Sequence, residues 1–100
     1  NQSGNTNNSV IDQGLTGLQS FGGVARVDQT GRENMSDITQ TGIGGTATVN
    51  QNGLMHMSSI TQTGVNPGIN TASVIQTGQT QMSTITQTGA GNMASVTQGN

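Results

Sequence analysis

Few residues in this chain could do covalent or acid–base chemistry, and many could do amide chemistry. There is no cysteine, one histidine (His56) and only four acidic residues. Disulfides and thiolate metal sites are therefore excluded, and cysteine usage gives no reading of redox compartment. The hydroxyls and acids form no motif around His56, so neither a Ser-His-Asp arrangement nor a metal site with ligand spacing is expected. His56 reads as a variant corner residue. Gly42-x-Gly44-Gly45 and Gly89-x-Gly91 read as turn glycines, not phosphate loops, because no helical pattern follows them. Asn7-Asn8-Ser9 and Asn34-Met35-Ser36 are formal glycosylation sequons of a kind that often arises by chance. No catalytic, cofactor-binding or metal-binding residue is assigned, no cofactor is expected, and the chain reads as a non-enzyme.

The side-chain amides, by contrast, are placed with regularity. A run of small-x-Val/Ile-x-Gln recurs along the chain and ends at Gln13, Gln29, Gln40, Gln51, Gln62, Gln76, Gln87 and Gln98. Gln2 looks like the tail of an earlier copy. Successive glutamines of this series stand eleven positions apart, with two exceptions. The step from Gln13 to Gln29 is sixteen and that from Gln62 to Gln76 is fourteen. Ser-x-Ile units alternate with Ala-x-Val units, so the true period is two units, as from Gln29 to Gln51 or from Gln40 to Gln62, where nothing is inserted. Internal repetition of this kind sets the architecture.

The elements that position these amides follow from local physics. The small residue, Val/Ile and Gln sit at i, i+2 and i+4, so in a strand they share one face. Val, Ile and Thr favour strands. Gly31, Gly42, Gly53, Gly64, Gly78 and Gly89, two residues after their Gln, are expected to be turn glycines with positive φ. One strand and one turn bury little alone, so the units are expected to stack as a solenoid with a shared seam. That seam is Ile11, Val27, Ile38, Val49, Ile60, Val74, Ile85 and Val96 with Ala25, Ala47, Ala72 and Ala94. Stacking at ~4.8 Å lets each buried amide bond to the identical amide above and below. Two ladders are predicted: Gln13, Gln40, Gln62 and Gln87, and Gln29, Gln51, Gln76 and Gln98. Asn7, Asn34, Asn70 and Asn92, six residues before their Gln, are expected to join at the corners as buried amides.

Composition agrees with a structural role. The 100 residues make one domain at most, taken as a single repeat domain over residues 1–100. Charged residues are 6% and the net charge is −2, so a basic footprint for nucleic acid is missing. No apolar run approaches the ~20 residues of a membrane span. A first residue of Asn1 rather than Met fits removal of a signal peptide or of a tag. All the charges lie between Asp12 and Asp37, namely Asp12, Arg26, Asp28, Arg32, Glu33 and Asp37. They are read as gatekeepers that hold back pairing at one end.

Other features point outward or interrupt the period. An insertion carrying Leu15, Leu18 and Phe21 reads as a bulged loop covering an end or flank. Asn66-Pro67-Gly68 reads as a turn between strands, where proline is tolerated. Met35, Met57 and Met82 share one position and are expected to stack, either as an exposed strip or folded over a corner. Thr39/Thr41, Thr61/Thr63 and Thr86/Thr88 make Thr-x-Thr pairs on one face. Such ladders resemble those of ice-binding solenoids, although Asp12 and Gly14 break the array in the first coil.

The pattern Gln-x-Gly-x-Gly-Asn-x-Ala-x-x-x-Gln resembles the repeat of curlin, the subunit of curli amyloid fibres. Gln87 to Gln98 matches it in full, and Gln40 to Gln51 matches except that Gly45 stands in place of Asn. Thr often follows Gln where the best-known curlins carry aromatic or basic side chains. The resemblance implies a secreted bacterial fibre of a biofilm matrix, exported through an outer-membrane secretion channel and nucleated by a minor subunit. The expectation is thus an all-β, two-sided β-solenoid of about four coils, with two strands per 22-residue coil and a length of roughly 19 Å. No cap is visible at either end of the sequence, so the coils are expected to stack head to tail into a cross-β homopolymer. The alternatives are the minor nucleating subunit of the same fibre and a monomeric ice- or surface-binding solenoid.

Overall fold

The computed structural model describes residues 1–14, 23–42, 44–64 and 68–100. The expectations for Leu15, Leu18, Phe21 and Asn66-Pro67 lie outside the described residues. Alternation of Val, Ile and Thr with small and polar residues gives strands throughout. They are β1 (Gln2–Asn5), β2 (Asn8–Gly14), β3 (Val24–Arg32), β4 (Met35–Thr41), β5 (Gly45–Leu54), β6 (Met57–Gly64), β7 (Asn70–Gln79), β8 (Met82–Gly89) and β9 (Met93–Gly99). Odd strands form one parallel sheet in the order β1-β3-β5-β7-β9, and even strands form a second in the order β2-β4-β6-β8. The chain thus crosses from one sheet to the other at every corner, which makes it an all-β parallel β-solenoid.

Register is set by the repeat. Ile11, Ile38, Ile60 and Ile85 are consecutive partners in one sheet. Val27, Val49, Val74 and Val96 are partners in the other. Their inward faces meet as a core of Val27, Ile38, Ala47, Val49, Ile60, Ala72, Val74 and Ile85. Burying each Val or Ile contributes roughly 1.5–3 kcal/mol.

The coil count differs from the sequence expectation. From β2 to β8 the path completes about three turns, with steps of 27, 22 and 25 residues between stacked glutamines. Among the described residues the sheets are also unequal, with five strands against four. The cause is the short strand β1, which pairs Gln2 with Gln29 and lays a further rung on the first sheet alone.

The core is also narrower than expected. Ile11 is 45% exposed while Ile38 and Ile60 are fully covered. Ala25, Ala94 and Val96 are only partly buried. All four belong to strands at or near the ends of the stack, where a side chain has a neighbour on one side only.

The glycines need a second correction. Gly31, Gly53, Gly64, Gly78 and Gly89 are strand residues, and only Gly42 lies beyond its strand. Gly31, Gly42, Gly53, Gly78 and Gly89 do have positive φ, between 101° and 144°. For Gly31, Gly42, Gly53 and Gly78 the role is close stacking, whereas a Cβ on Gly89 would meet only Asn92 at 3.8 Å. A Cβ on Gly31 would run into the Gly53 carbonyl, and one on Gly53 into the Gly78 carbonyl. The reversals themselves fall elsewhere. On one edge they use Thr6, Glu33, Met55 and Thr80, non-glycine residues at φ of 54–58°. That conformation costs an L-residue roughly 1–2 kcal/mol. It is held here by ladder bonds that continue through the corner, Met55 N–H to the Arg32 carbonyl and Thr80 N–H to the Leu54 carbonyl. Gly44 and Gly91 hold the equivalent position on the opposite edge.

Two substitutions test this packing. Gly53→Ala should lower the urea midpoint strongly, by more than about 2 kcal/mol, because the new methyl meets backbone. Gly14→Ala, where only ordinary contacts at 3.8 Å await a Cβ, should cost well under about 1 kcal/mol. Equal losses would mean that the glycine column does not constrain stacking. Ser36, Ser58 and Ser83 offer the opposite case, since their buried hydroxyls have no partner. The matching position of the other sheet is alanine, so Ser58→Ala is expected to leave the midpoint unchanged or raise it.

Candidate functional site

The inward glutamines form two unbroken columns. In the even sheet, Gln13 Nε2 donates to Gln40 Oε1 at 2.7 Å, Gln40 to Gln62 at 2.7 Å, and Gln62 to Gln87 at 2.8 Å. In the odd sheet the chain runs Gln2, Gln29, Gln51, Gln76 and Gln98, with donations of 2.8, 2.8, 2.8 and 2.9 Å. The second N–H of each internal amide reaches a backbone carbonyl. Gln40 uses Val24, Gln51 uses Met35, Gln62 uses Thr46, and Gln76 uses Met57. A buried amide is costly unless its donors and acceptor are met, and stacking meets them with identical partners. Gln29, Gln40, Gln51, Gln62, Gln76 and Gln87 are buried. Gln13 is exposed and Gln98 half-buried. This corrects the expectation that both are buried: each has a rung on one side only.

The corner asparagines are placed differently from the sequence expectation. Their amides bond to backbone, not to one another. Asn34 Nδ2 donates to the Thr30 and Gly53 carbonyls, while its Oδ1 accepts the His56 backbone N–H at 3.2 Å. Asn7 Oδ1 accepts the Asn34 N–H, and Asn70 Oδ1 accepts the Asn92 N–H. Asn34 and Asn70 are buried, whereas Asn7 and Asn92 are only partly so. The four also divide between opposite edges, Asn7 and Asn34 on one and Asn70 and Asn92 on the other. A short amide at a corner lies beside carbonyls of the reversing chain and satisfies them first.

His56 continues the Asn7–Asn34 corner and is 1% exposed. Its Nε2 lies 3.3 Å from the Asn52 carbonyl, and Nδ1 has no partner. Among the described residues, no group of three or more His, Cys, Asp or Glu is placed to hold a metal ion. Among them too, no helix is long and apolar enough to cross a membrane.

The charged residues all face outward. Arg26 pairs with Asp28 at 2.7 Å, and the Asn1 ammonium lies 3.7 Å from Asp28. Such exposed pairs contribute little. In register, Asp12 faces Thr39, Asp37 faces Val10 and Ser59, and Arg32 faces Asn5 and Leu54. No like charges stack directly, but Asp12 and Asp37 lie diagonally across neighbouring strands, a separation of ~7–8 Å. On the same outer face Met35, Met57 and Met82 stack as neighbours and are 43–67% exposed. Thr39, Thr61 and Thr86 stack beside them, as do Thr41, Thr63 and Thr88.

These features define a class: a parallel two-sheet solenoid whose rungs are joined by side-chain amide ladders. Residues 70–99 match the family model described as curlin associated repeat. No curated protein matches the chain, and no solved structure does. Sequence reasoning missed the left-handed corner at Thr6, Glu33, Met55 and Thr80. Four unlike residue types carry no common signal, and only the constant eleven-position spacing of the glutamines across that edge marks it.

The ladder predicts a gradient with position. Gln62→Ala should strip partners from Gln40, Gln87 and the Thr46 carbonyl, at about 1–3 kcal/mol for each buried group. Thr61→Ala, on the outer face, should stay within about 0.5 kcal/mol. Gln13→Ala should fall between them, because its bond lies at an exposed end. Urea midpoints of the three variants decide this, and a Thr61 variant as weak as the Gln62 variant would overturn the assignment of faces.

Proposed function

We propose that the chain is a structural subunit of a curli-like extracellular amyloid fibre, self-assembling for biofilm matrix, adhesion and surface colonisation. The observation that carries this reading is the continuity of the two glutamine columns through every rung, from Gln2 and Gln13 to Gln87 and Gln98. A ladder built from identical rungs is extended by another copy with no new kind of contact. In such a joint β9 stacks on β1 of the next copy. A contact between different surfaces of identical copies does not close and gives a filament. The match of residues 70–99 to the curlin associated repeat model supports this reading. With it come secretion to the cell surface, an outer-membrane channel for export, a nucleating subunit as partner, and the absence of any enzymatic role. The minor nucleating subunit is the variant of the reading within the same fibre.

The outward charges fit a brake on this assembly. Asp12 lies on β2, the outermost strand of the even sheet, at the end that another copy approaches. Desolvating a carboxylate beside a neutral partner opposes docking.

A second reading rests on the stacked Thr39/Thr61/Thr86 and Thr41/Thr63/Thr88 columns, a regular hydroxyl array suited to ice or another ordered surface. Electron microscopy and diffraction of purified protein at neutral pH separate the two. Fibres are expected, with a meridional reflection at about 4.8 Å and an equatorial one at about 10 Å. Persistent monomers with thermal hysteresis would favour the hydroxyl array. In dye-binding kinetics the combined replacement of Asp12, Asp28 and Asp37 by Asn should shorten the lag. An unchanged lag would remove the brake while leaving the fibre intact.

A further inference from the structure

The backbone edges of a parallel sheet offer donors and acceptors in alternation, so they do not distinguish one end of the stack from the other. The glutamine columns do. Every donation runs the same way, from the Nε2 of the rung nearer the N-terminus to the Oε1 of the next rung. The direction is pinned by the second N–H. In Gln29, Gln40, Gln51, Gln62, Gln76 and Gln87 it donates to a backbone carbonyl. A carbonyl only accepts, so these amides cannot be turned over without facing oxygen to oxygen. The corner asparagines bond to backbone and take no part in the columns.

We infer that the two ends of the solenoid are chemically opposite, an amide N–H donor face at Gln87 and Gln98 and an amide oxygen face at Gln2 and Gln13, and that a second copy is recognised through this polarity. The inference rests on the fibre reading for its partner and on the columns alone for its direction. In the joint, Gln98 Nε2 donates to Gln2 Oε1 of the incoming copy. Two donor faces, or two oxygen faces, repel.

The direction makes substitutions at the ends unequal. Within one copy Gln98 accepts from Gln76, while Gln2 donates to Gln29 and to Ser9. Gln98→Glu keeps the internal acceptor but can no longer donate across the joint. Gln2→Lys keeps the internal donor but can no longer accept. Each therefore blocks one face and spares the fold. The swapped variants, Gln98→Lys and Gln2→Glu, oppose the internal bond instead.

The experiment uses the full 100-residue chain. In urea unfolding, Gln98→Glu and Gln2→Lys should keep the midpoint of the unsubstituted chain, and Gln98→Lys and Gln2→Glu should lower it. In seeded elongation followed by dye binding, Gln98→Glu and Gln2→Lys should each grow about tenfold slower or worse. An equimolar mixture of these two should recover. Its two kinds of joint are an unsubstituted one and one in which the introduced carboxylate meets the introduced ammonium. Rapid growth of Gln98→Glu alone, or a mixture no faster than its components, overturns the directional joint. A reversed stability order overturns the ladder direction whatever the fibres do. An unsubstituted chain that forms no fibres overturns the fibre reading, and the joint with it. That result is told apart from the others because it needs no variant.

Discussion

A buried primary amide carries two donors and an acceptor that must all be met, and nothing else in this chain is as demanding. Side-chain amides cannot be satisfied within one rung, because a single strand-corner-strand unit places only one Gln on each inward face. They are satisfied by an identical residue one strand spacing away, and only if the backbone repeats its path closely enough to bring Nε2 within 2.7–2.9 Å of Oε1. Each rung therefore makes the next one easier to add and the outermost one the least secure. Ile11 and Gln13 are open for that reason, and Ile38 and Gln40 one rung further in are not.

The demand for an identical path explains the small residues. Gly31, Gly53 and Gly78 form a column in which each would-be Cβ points at the carbonyl or amide oxygen of the next rung. A single larger residue would push two rungs apart and break the amide bonds beside it. Ser36, Ser58 and Ser83 show the same pressure on size with less regard for polarity. Their hydroxyls are buried without partners, at a position that the other sheet fills with Ala25, Ala47, Ala72 and Ala94. Width matters more at that position than hydrogen bonding does. The core is correspondingly thin, and the amide columns flank it as a second, polar core.

Much of this was legible in the sequence because period and parity are enough to place a stacked strand. The spacing from Gln40 to Gln62 fixes their partnership, and the i, i+2, i+4 pattern fixes which face Ile60 shares with Gln62. What was not legible concerns side chains with a choice of partner. Asn34 could have bonded to another asparagine as readily on paper as to the Thr30 and Gly53 carbonyls, and local geometry decides for the carbonyls. The glycines were assigned to turns by their propensity, yet the reversal falls two residues later, at Glu33, Met55 and Thr80. End effects were also hidden, since a repeat looks the same at Gln13 as at Gln62. Strand β1 had only Gln2 to announce it.

The two edges of the solenoid obey different rules, and the insertions reveal it. From an odd strand to the following even strand the glutamine spacing never changes: Gln29 to Gln40, Gln51 to Gln62 and Gln76 to Gln87 are each eleven positions. From an even strand to an odd strand it varies, with sixteen positions from Gln13 to Gln29 and fourteen from Gln62 to Gln76, against eleven elsewhere. The constant edge is stacked bond by bond through the reversal, with Asn34 and His56 buried inside it and their carbonyls accepting from Asn8 and Met35 in neighbouring rungs. An extra residue there would leave those groups without partners in two rungs at once. On the opposite edge Gly23 and Gly45 stand where Asn70 and Asn92 stand in later rungs, and an open cleft lies beside Gln40 and Gln62. Added chain on that side leaves the ladders and the continuous corner untouched. Variation in length is thereby confined to one edge, and the surface that stacks stays the same from rung to rung.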